Sequence, residues 1–333
     1  MENSTSTKCK ICEGWANLKQ TDYIGFQEPL KFDIYHCKVC RTAFCMPNIY
    51  NTTELYNNIY LNQKAIPGYD RYWKYAENIK AQRNPLEYLS NSEGSYWGVQ
   101  RALLQLDAKK KNAKILEIGC GLGYLTYALN KTGYNAVGLD ISKKAVDDAT
   151  NRFGDHFICE DLFNYAKQKQ GYYDIVIMTE VIEHLSDPVL FLKALSELVK
   201  ETGKIIITTP NKSFYPDDIV WATENPPVHF WWFSEESIIY ISNKIDSKVT
   251  FISFQDYYTK HYTSCDIELF RKRKLPGPAI DEEGKVIKFS TYNNRNSFFY
   301  NIKKWLLKIG FLKNLIGKMR DFNNPNILTC NVR

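Results

Sequence analysis

Residues 114–126, KILEIGCGLGYLT, decide how this chain is read. A short β-type run, KILEI, enters a turn holding Gly119, Gly121 and Gly123, and a helix-compatible run follows. Glycines permit a tight turn and let a ligand approach the backbone, and the first turn of a helix offers N–H groups without intrahelical partners. Such an element suits a nucleotide-type ligand. It also fits an ordinary glycine turn, so the flanking chain has to decide.

Downstream, β-type and helix-compatible runs alternate. AVGLD (136–140) precedes a helical run at 143–153, and HFICED (156–161) precedes a polar loop. YDIVIM (173–178) precedes a helical run at 188–199, and KIIITT (204–209) closes the series. This is the βαβ pattern of a mostly parallel sheet covered by helices, in which ligands bind outside the C-terminal strand ends. Asp140 closes the second strand, 17 residues after Gly123, where a carboxylate can accept both hydroxyls of a ribose. Asp161 closes the third, where its carboxylate and the next backbone N–H can address an adenine. Either alone also fits helix N-capping or surface charge. The turn is GCGLG, not GxGxxG, so a dinucleotide fingerprint fits less well.

Upstream, five cysteines lie in the first 45 residues: Cys9, Cys12, Cys37, Cys40 and Cys45. Two C-x2-C pairs, Cys9/Cys12 and Cys37/Cys40, are separated by 24 residues, the spacing of two knuckles of a four-cysteine zinc site. His36 and Cys45 are spare candidate ligands. Cys120, Cys159, Cys265 and Cys330 are isolated and read as small hydrophobes. Between this module and the glycine turn the chain is helix-compatible at 57–66, 69–83 and 96–106, with a stop before Pro85. The expected organisation is a zinc module (1–50), a helical linker or cover (51–110), a catalytic domain (111–270) and a basic C-terminal extension (271–333).

With 333 residues, 44% apolar content and a net charge of +6, the chain can bury a proper core. No secretory leader pattern and no run near 18 apolar residues is seen, so a cytoplasmic protein is expected and a disulfide framework is the poorer reading. Residues 247–270 hold two β-compatible runs that would complete the sheet as a hairpin. RKRKLPGP (271–278) is a basic turn, either solvated or facing an acidic substrate. In 298–320, Trp305, Ile309, Leu312, Ile316 and Met319 share one face of a lysine-rich helix. It would be a packed terminal helix, a homodimer contact or an interfacial helix on an anionic membrane.

LEIGCGLG, GLDIS, the ED at the third strand end and YDIVIMTEVIEHLSDP resemble the successive motifs of class I S-adenosylmethionine-dependent methyltransferases over roughly residues 90–245. The resemblance implies a Rossmann-like α/β fold with a seven-stranded sheet in the order 3-2-1-4-5-7-6, the seventh strand antiparallel. It assigns Glu117, Gly119, Gly121 and Gly123 to the methionine side of S-adenosylmethionine, Asp140 to ribose, and Asp161 with Leu162 to adenine. Thr179 and Glu180 would lie beside the cofactor. His184 is the candidate base, oriented by Glu180 or Glu183, or else a helix-start residue bonded to backbone.

The fifth strand exits into an aromatic, proline-rich loop carrying His229, with Trp221, Trp231 and Trp232 as a stacking floor or as plugs against the fold. Glu180, Glu183, His184 and His229 are similar to the divalent-metal constellation of small-RNA 2′-O-methyltransferases, although Val228 stands where those enzymes carry a second histidine. The four-cysteine module with an NPP-His loop instead looks like bacterial methyltransferases of sugars and secondary metabolites. The expected function is therefore methyl transfer to a small acceptor, chiefly a hydroxyl of a sugar or glycan precursor, nucleotide- or lipid-linked, rather than to nucleic acid. The alternatives are a metal-dependent RNA 2′-O-methyltransferase and a catalytically silent binding or assembly protein.

Overall fold

The computed structural model describes residues 5–47, 52–66, 68–109, 112–213, 225–261, 277–287 and 327–332. The chain opens with β1 (Ser6–Lys8), β2 (Trp15–Ile24), β3 (Lys31–Cys37) and β4 (Ala43–Met46), each antiparallel to the next. Helices α1 (Thr53–Asn62), α2 (Asp70–Asn78), α3 (Pro85–Ser92) and α4 (Gly94–Gln105) follow. The expected stop before Pro85 is present, since the helical run from Asp70 ends at Ala81; helix α3, starting at Pro85, is an addition to that reading. Proline at the first helical position loses an N–H that has no intrahelical partner anyway, and the helix it starts buries Leu86 and Leu89.

The next elements are β5 (Lys114–Ile118), α5 (Tyr124–Lys131), β6 (Asn135–Asp140), α6 (Lys143–Phe153), β7 (Phe157–Cys159), α7 (Leu162–Gln168) and β8 (Tyr173–Thr179). They continue as α8 (Pro188–Leu198), β9 (Val199–Pro210), β10 (Trp231–Trp232), α9 (Glu235–Lys244), β11 (Val249–Phe251), α10 (Gln255–His261) and β12 (Ile327–Val332). A seven-stranded sheet runs β7-β6-β5-β8-β9-β12-β11. Its first five strands pair in parallel and β12 is antiparallel to both β9 and β11, which is the expected order 3-2-1-4-5-7-6 with the seventh strand antiparallel.

Two readings of the chain need correction. Helix α7 stands where a polar loop was expected, because Asp161 caps its first turn. Among the described residues the expected 247–270 hairpin is not seen: 255–261 is helical, and β11 pairs with the distant β12. Residues 262–270, the basic run 271–276 and the amphipathic stretch 298–320 lie outside the described residues.

Alternation along the central strands sends side chains to two cores. Ile175 and Ile177 of β8 pack with Leu103 of α4 and Leu129 of α5, whereas Val176 and Met178 face Leu195 of α8 and the cysteine module. The second core has no break at residue 50. Strands β1 to β4 take β10 as the fifth strand of their sheet, with Trp231 opposite Phe44 and Trp232 opposite Ala43. Both tryptophans are 1% exposed. Among the described residues no helix is long and apolar enough to cross a membrane.

Candidate active site

The glycine turn is held from β6. Gly119 N–H donates to Leu139 O at 2.8 Å and Gly121 N–H to Asp140 Oδ2 at 2.9 Å, while Asp140 Oδ1 accepts from Ser142 N at 2.8 Å. Asp140 is buried; desolvation pushes its carboxyl up, and these two N–H groups oppose that. Gly123, at φ 76°, starts α5; a Cβ there would lie 2.7 Å from Ala149 and Phe157, so only glycine lets α5 and α6 close on the strands. Gly121, at φ 49°, has open space instead, with the Tyr60 hydroxyl of α1 nearest at 3.7 Å from such a Cβ. That is a cradle with room on its ligand side. Glu117 is buried beneath the turn and accepts from the Thr126 hydroxyl; burial pushes its carboxyl up to about 8.

Asp161 Oδ1 accepts from Phe163 N at 2.9 Å and Asn164 N at 3.1 Å. One carboxylate oxygen is thus committed to capping, the bland option for this residue, and Leu162 is buried. Ile141, 74% exposed next to the buried Asp140, is an apolar side chain that sequence reasoning passed over. Thr179 ends β8 half-buried.

Beyond β8, the structure brings three of the four predicted groups together. Glu183, His184 and His229 each offer a ligand atom, all within 4.8 Å of one another. Glu183 is 1% exposed; its Oε2 accepts from Thr209 Oγ1 at 2.8 Å, and its Oε1 lies 3.9 Å from Nε2 of both His184 and His229. Those separations exceed a hydrogen bond. Glu180 is not in this group. Its backbone has φ 51° and its carboxylate accepts from Thr208 Oγ1 at 2.9 Å, which directs it along β9.

The tautomer of His184 follows from its partners. Nδ1 lies 2.6 Å from the Val228 carbonyl, an acceptor only, so Nδ1 carries the proton and Nε2 the lone pair. Tyr56 of α1 places its hydroxyl 3.0 Å from the same nitrogen. Sequence reasoning missed Tyr56, because nothing local marks one tyrosine of a linker helix. Four residues later on α1, Tyr60 stands over the glycine turn, its phenol pushed up by burial and by the Asp140 charge. One helix therefore spans the cradle and the histidine.

The aromatic loop does not offer a stacking floor at Trp231 or Trp232, since both are core residues; Trp231 Nε1 donates to Leu185 O at 2.7 Å. Trp221 lies outside the described residues. The loop ends at Ser234, which caps α9 in a box completed by the Ser237 hydroxyl, where a carboxylate is the usual partner.

Cys9, Cys12, Cys37 and Cys40 converge, with Cys9–Cys40 sulfurs 3.7 Å apart and Cys12–Cys37 sulfurs 3.3 Å apart. A tetrahedral zinc with Zn–S bonds of about 2.3 Å sets its sulfurs about 3.8 Å apart, so the quartet fits that ion. Cys45, buried with Sγ 3.9 Å from His229 O, and His36 are outside the quartet. Cys120 is buried as expected of a small hydrophobe, but Cys159 at the end of β7 is exposed.

Comparison with known proteins finds similarity over the central part of the chain. Residues 97–248 match the family model of the methyltransferase domain. Over that stretch the chain resembles a methyltransferase domain. The chain is 33% identical over 109 residues to ubiquinone biosynthesis O-methyltransferase of Coxiella burnetii, covering 31% of this chain and 46% of that protein. The protein of that name in Yersinia pestis is 25% identical over 171 residues, covering 49% and 66%. The chain thus spans about half the length of the curated relatives first matched. A solved S-adenosylmethionine-dependent methyltransferase from Archaeoglobus fulgidus aligns with a TM-score of 0.42 at 18% identity, over 78% of this chain and 98% of its own.

Proposed function

We propose that this protein transfers a methyl group from S-adenosylmethionine to a hydroxyl of a small acceptor, a sugar, glycan precursor or related metabolite. The observation that carries the reading is the placement of α1, which covers with Tyr60 a glycine cradle closed by Asp140 and meets with Tyr56 a histidine of defined tautomer. O-methylation is also the chemistry named for the matched relatives.

The open side of Gly121, the buried acceptor Asp140 and the apolar Ile141 fit the cofactor. Gly119, Gly121, Gly123 and Glu117 take its methionine side, Asp140 its ribose, and Ile141, Leu162 and the remaining capacity of Asp161 its adenine; Thr179 borders it. When bound, S-adenosylmethionine supplies an activated sulfonium methyl. The chain has to position the acceptor, exclude water and accept a proton. His184 suits the last task, because the Val228 carbonyl holds Nδ1–H and leaves Nε2 as the base. Glu183, 3.9 Å away and buried, stabilises the imidazolium that results.

A second reading rests on the Glu183, His184 and His229 cluster. One carboxylate and two imidazoles suit a divalent cation, which would lower the pKa of an acceptor hydroxyl such as a terminal ribose 2′-OH of RNA. Glu180 then contributes by orienting β9 through Thr208 rather than as a ligand. The cysteine quartet is read as structural zinc in either case.

The test is turnover with labelled S-adenosylmethionine on a panel of sugars, nucleotide sugars, phenols and RNA 3′ ends, with and without manganese. Methylation of a small hydroxyl acceptor without added metal supports the first reading. Manganese-dependent RNA methylation supports the second. Cofactor binding without turnover on any class would favour a silent binding protein.

A further inference from the structure

The cysteine quartet is bonded to the acceptor half of the site along two routes. The first runs through the Cys37–Cys40 knuckle: the Cys40 carbonyl accepts from Ser234 Oγ at 2.6 Å, and Arg41 donates to Ser213 O at 3.2 Å and pairs with Glu236 at 3.3 Å. The second runs through β4. Its Cys45 N–H donates to Phe230 O at 3.0 Å, and Phe230 N–H in turn donates to Glu183 O at 2.9 Å. Between these anchors lie β10, laddered on β4, and His229, whose backbone adjoins Phe230. The same module also grips the start of the loop, where Phe26 N–H donates to Pro226 O at 2.7 Å and Asn225 Nδ2 to Ile24 O at 3.0 Å. The glycine turn, in contrast, is tied to β6 through Leu139 and Asp140.

We propose that the quartet is the positioning element of the acceptor half. A metal that fixes the Cys37–Cys40 knuckle fixes β4 and Ser234, and so holds the 225–234 loop with His229 against Glu183. The loop has no helix of its own between Asn225 and the cap of α9 and takes its strand partner from β4. Without the knuckle Ser234 loses its anchor at Cys40 O, and β4, whose Cys45 N–H holds Phe230 O, loses its fixed end, while the cofactor cradle keeps its bonds to β6. The proposal rests on the zinc reading of the quartet, and metal analysis separates the two.

The experiment uses the full chain, with zinc content, S-adenosylhomocysteine affinity, hydrogen exchange and carbethoxylation of His229 as readouts. Wild type is expected to carry zinc. Its removal by chelator should leave S-adenosylhomocysteine affinity within about threefold, speed exchange in 226–236 by at least about tenfold, and spare 114–140. His229, 3% exposed in the intact chain, should become reactive. Ser234→Ala keeps all four cysteines and removes the hydroxyl that donates to Cys40 O and accepts the α9 capping bond from Ser237 N–H, so the coupling is read upstream of that cap. It should retain zinc and S-adenosylhomocysteine affinity yet show faster exchange at 228–233, before the α9 cap. Purification without zinc overturns the metal reading. Zinc loss or Ser234→Ala that leaves 228–233 protected and His229 unreactive overturns the coupling, and chelation that exposes 114–140 equally overturns the separation of the two halves.

Discussion

Glu183→Gln tests what the Glu183 charge does for the two imidazoles. Glutamine keeps the shape and an oxygen for the Thr209 hydroxyl, 2.8 Å away, but removes a charge lying 3.9 Å from both histidine Nε2 atoms. A unit charge at about 4 Å contributes about 4 kcal/mol at an effective dielectric of about 20, a factor of about a thousand in an equilibrium constant. A cation bound there should then need about a thousandfold more manganese for half activation, measured as initial rate against metal concentration. S-adenosylhomocysteine affinity, measured by titration calorimetry, should be unchanged, because Asp140 lies two strands away. If His184 acts without metal, losing the nearby negative charge lowers its pKa, so the acidic limb of kcat/KM moves to lower pH. A folded variant with the same metal response and the same pH profile as wild type would refute the idea that Glu183 acts through the imidazoles.

Asp140→Ala removes the acceptor of two N–H groups and the ribose ligand together; loss of a charged hydrogen bond, about 1.5–3 kcal/mol, should raise the Kd for S-adenosylhomocysteine about tenfold to more than a hundredfold, and equal affinity would sink the ribose assignment. His184→Ala should lower kcat with little change in cofactor Kd, and an unaffected kcat would move the base elsewhere. Trp231→Ala should destabilise the chain by about 3–5 kcal/mol in urea unfolding, since the indole is buried between Phe44 and Phe233; a change under about 1 kcal/mol would contradict that packing. Glu117 gives a pH signature. Its folded carboxyl sits at about 8 against an ordinary 4.5, so the folded state holds the proton more tightly. Its contribution is full below about 4.5 and is lost as pH rises to about 8. In thermal melts Glu117→Gln should therefore gain on wild type as pH rises through that window, and parallel curves would contradict the burial argument.

Local pattern was enough wherever the chemistry is local. A glycine turn between a β-type run and a helix, an aspartate at the next strand end and two C-x2-C pairs each speak through neighbours a few residues apart, so the parallel core, the cradle and the quartet were legible before any coordinates. The stop before Pro85 was legible, but helix α3 beyond it was not, because proline marks both a stop and a start and only burial of the new helix's face reveals the second. The remainder depended on contacts between distant residues. Strand β12 joins β11 and β9 from the far end of the chain, and Tyr56 reaches His184 across 128 positions. Glu180 and Glu183 are three residues apart and equivalent as letters, yet β9 takes one to Thr208 and the other to Thr209 beside the imidazoles. The sequence alone determined which groups are available and which local elements they sit on, because those follow from spacing and backbone preference. Which of them meet was decided by tertiary packing: β4 laddered on β10 brings His229 to Glu183, and no periodicity within either segment carries that pairing.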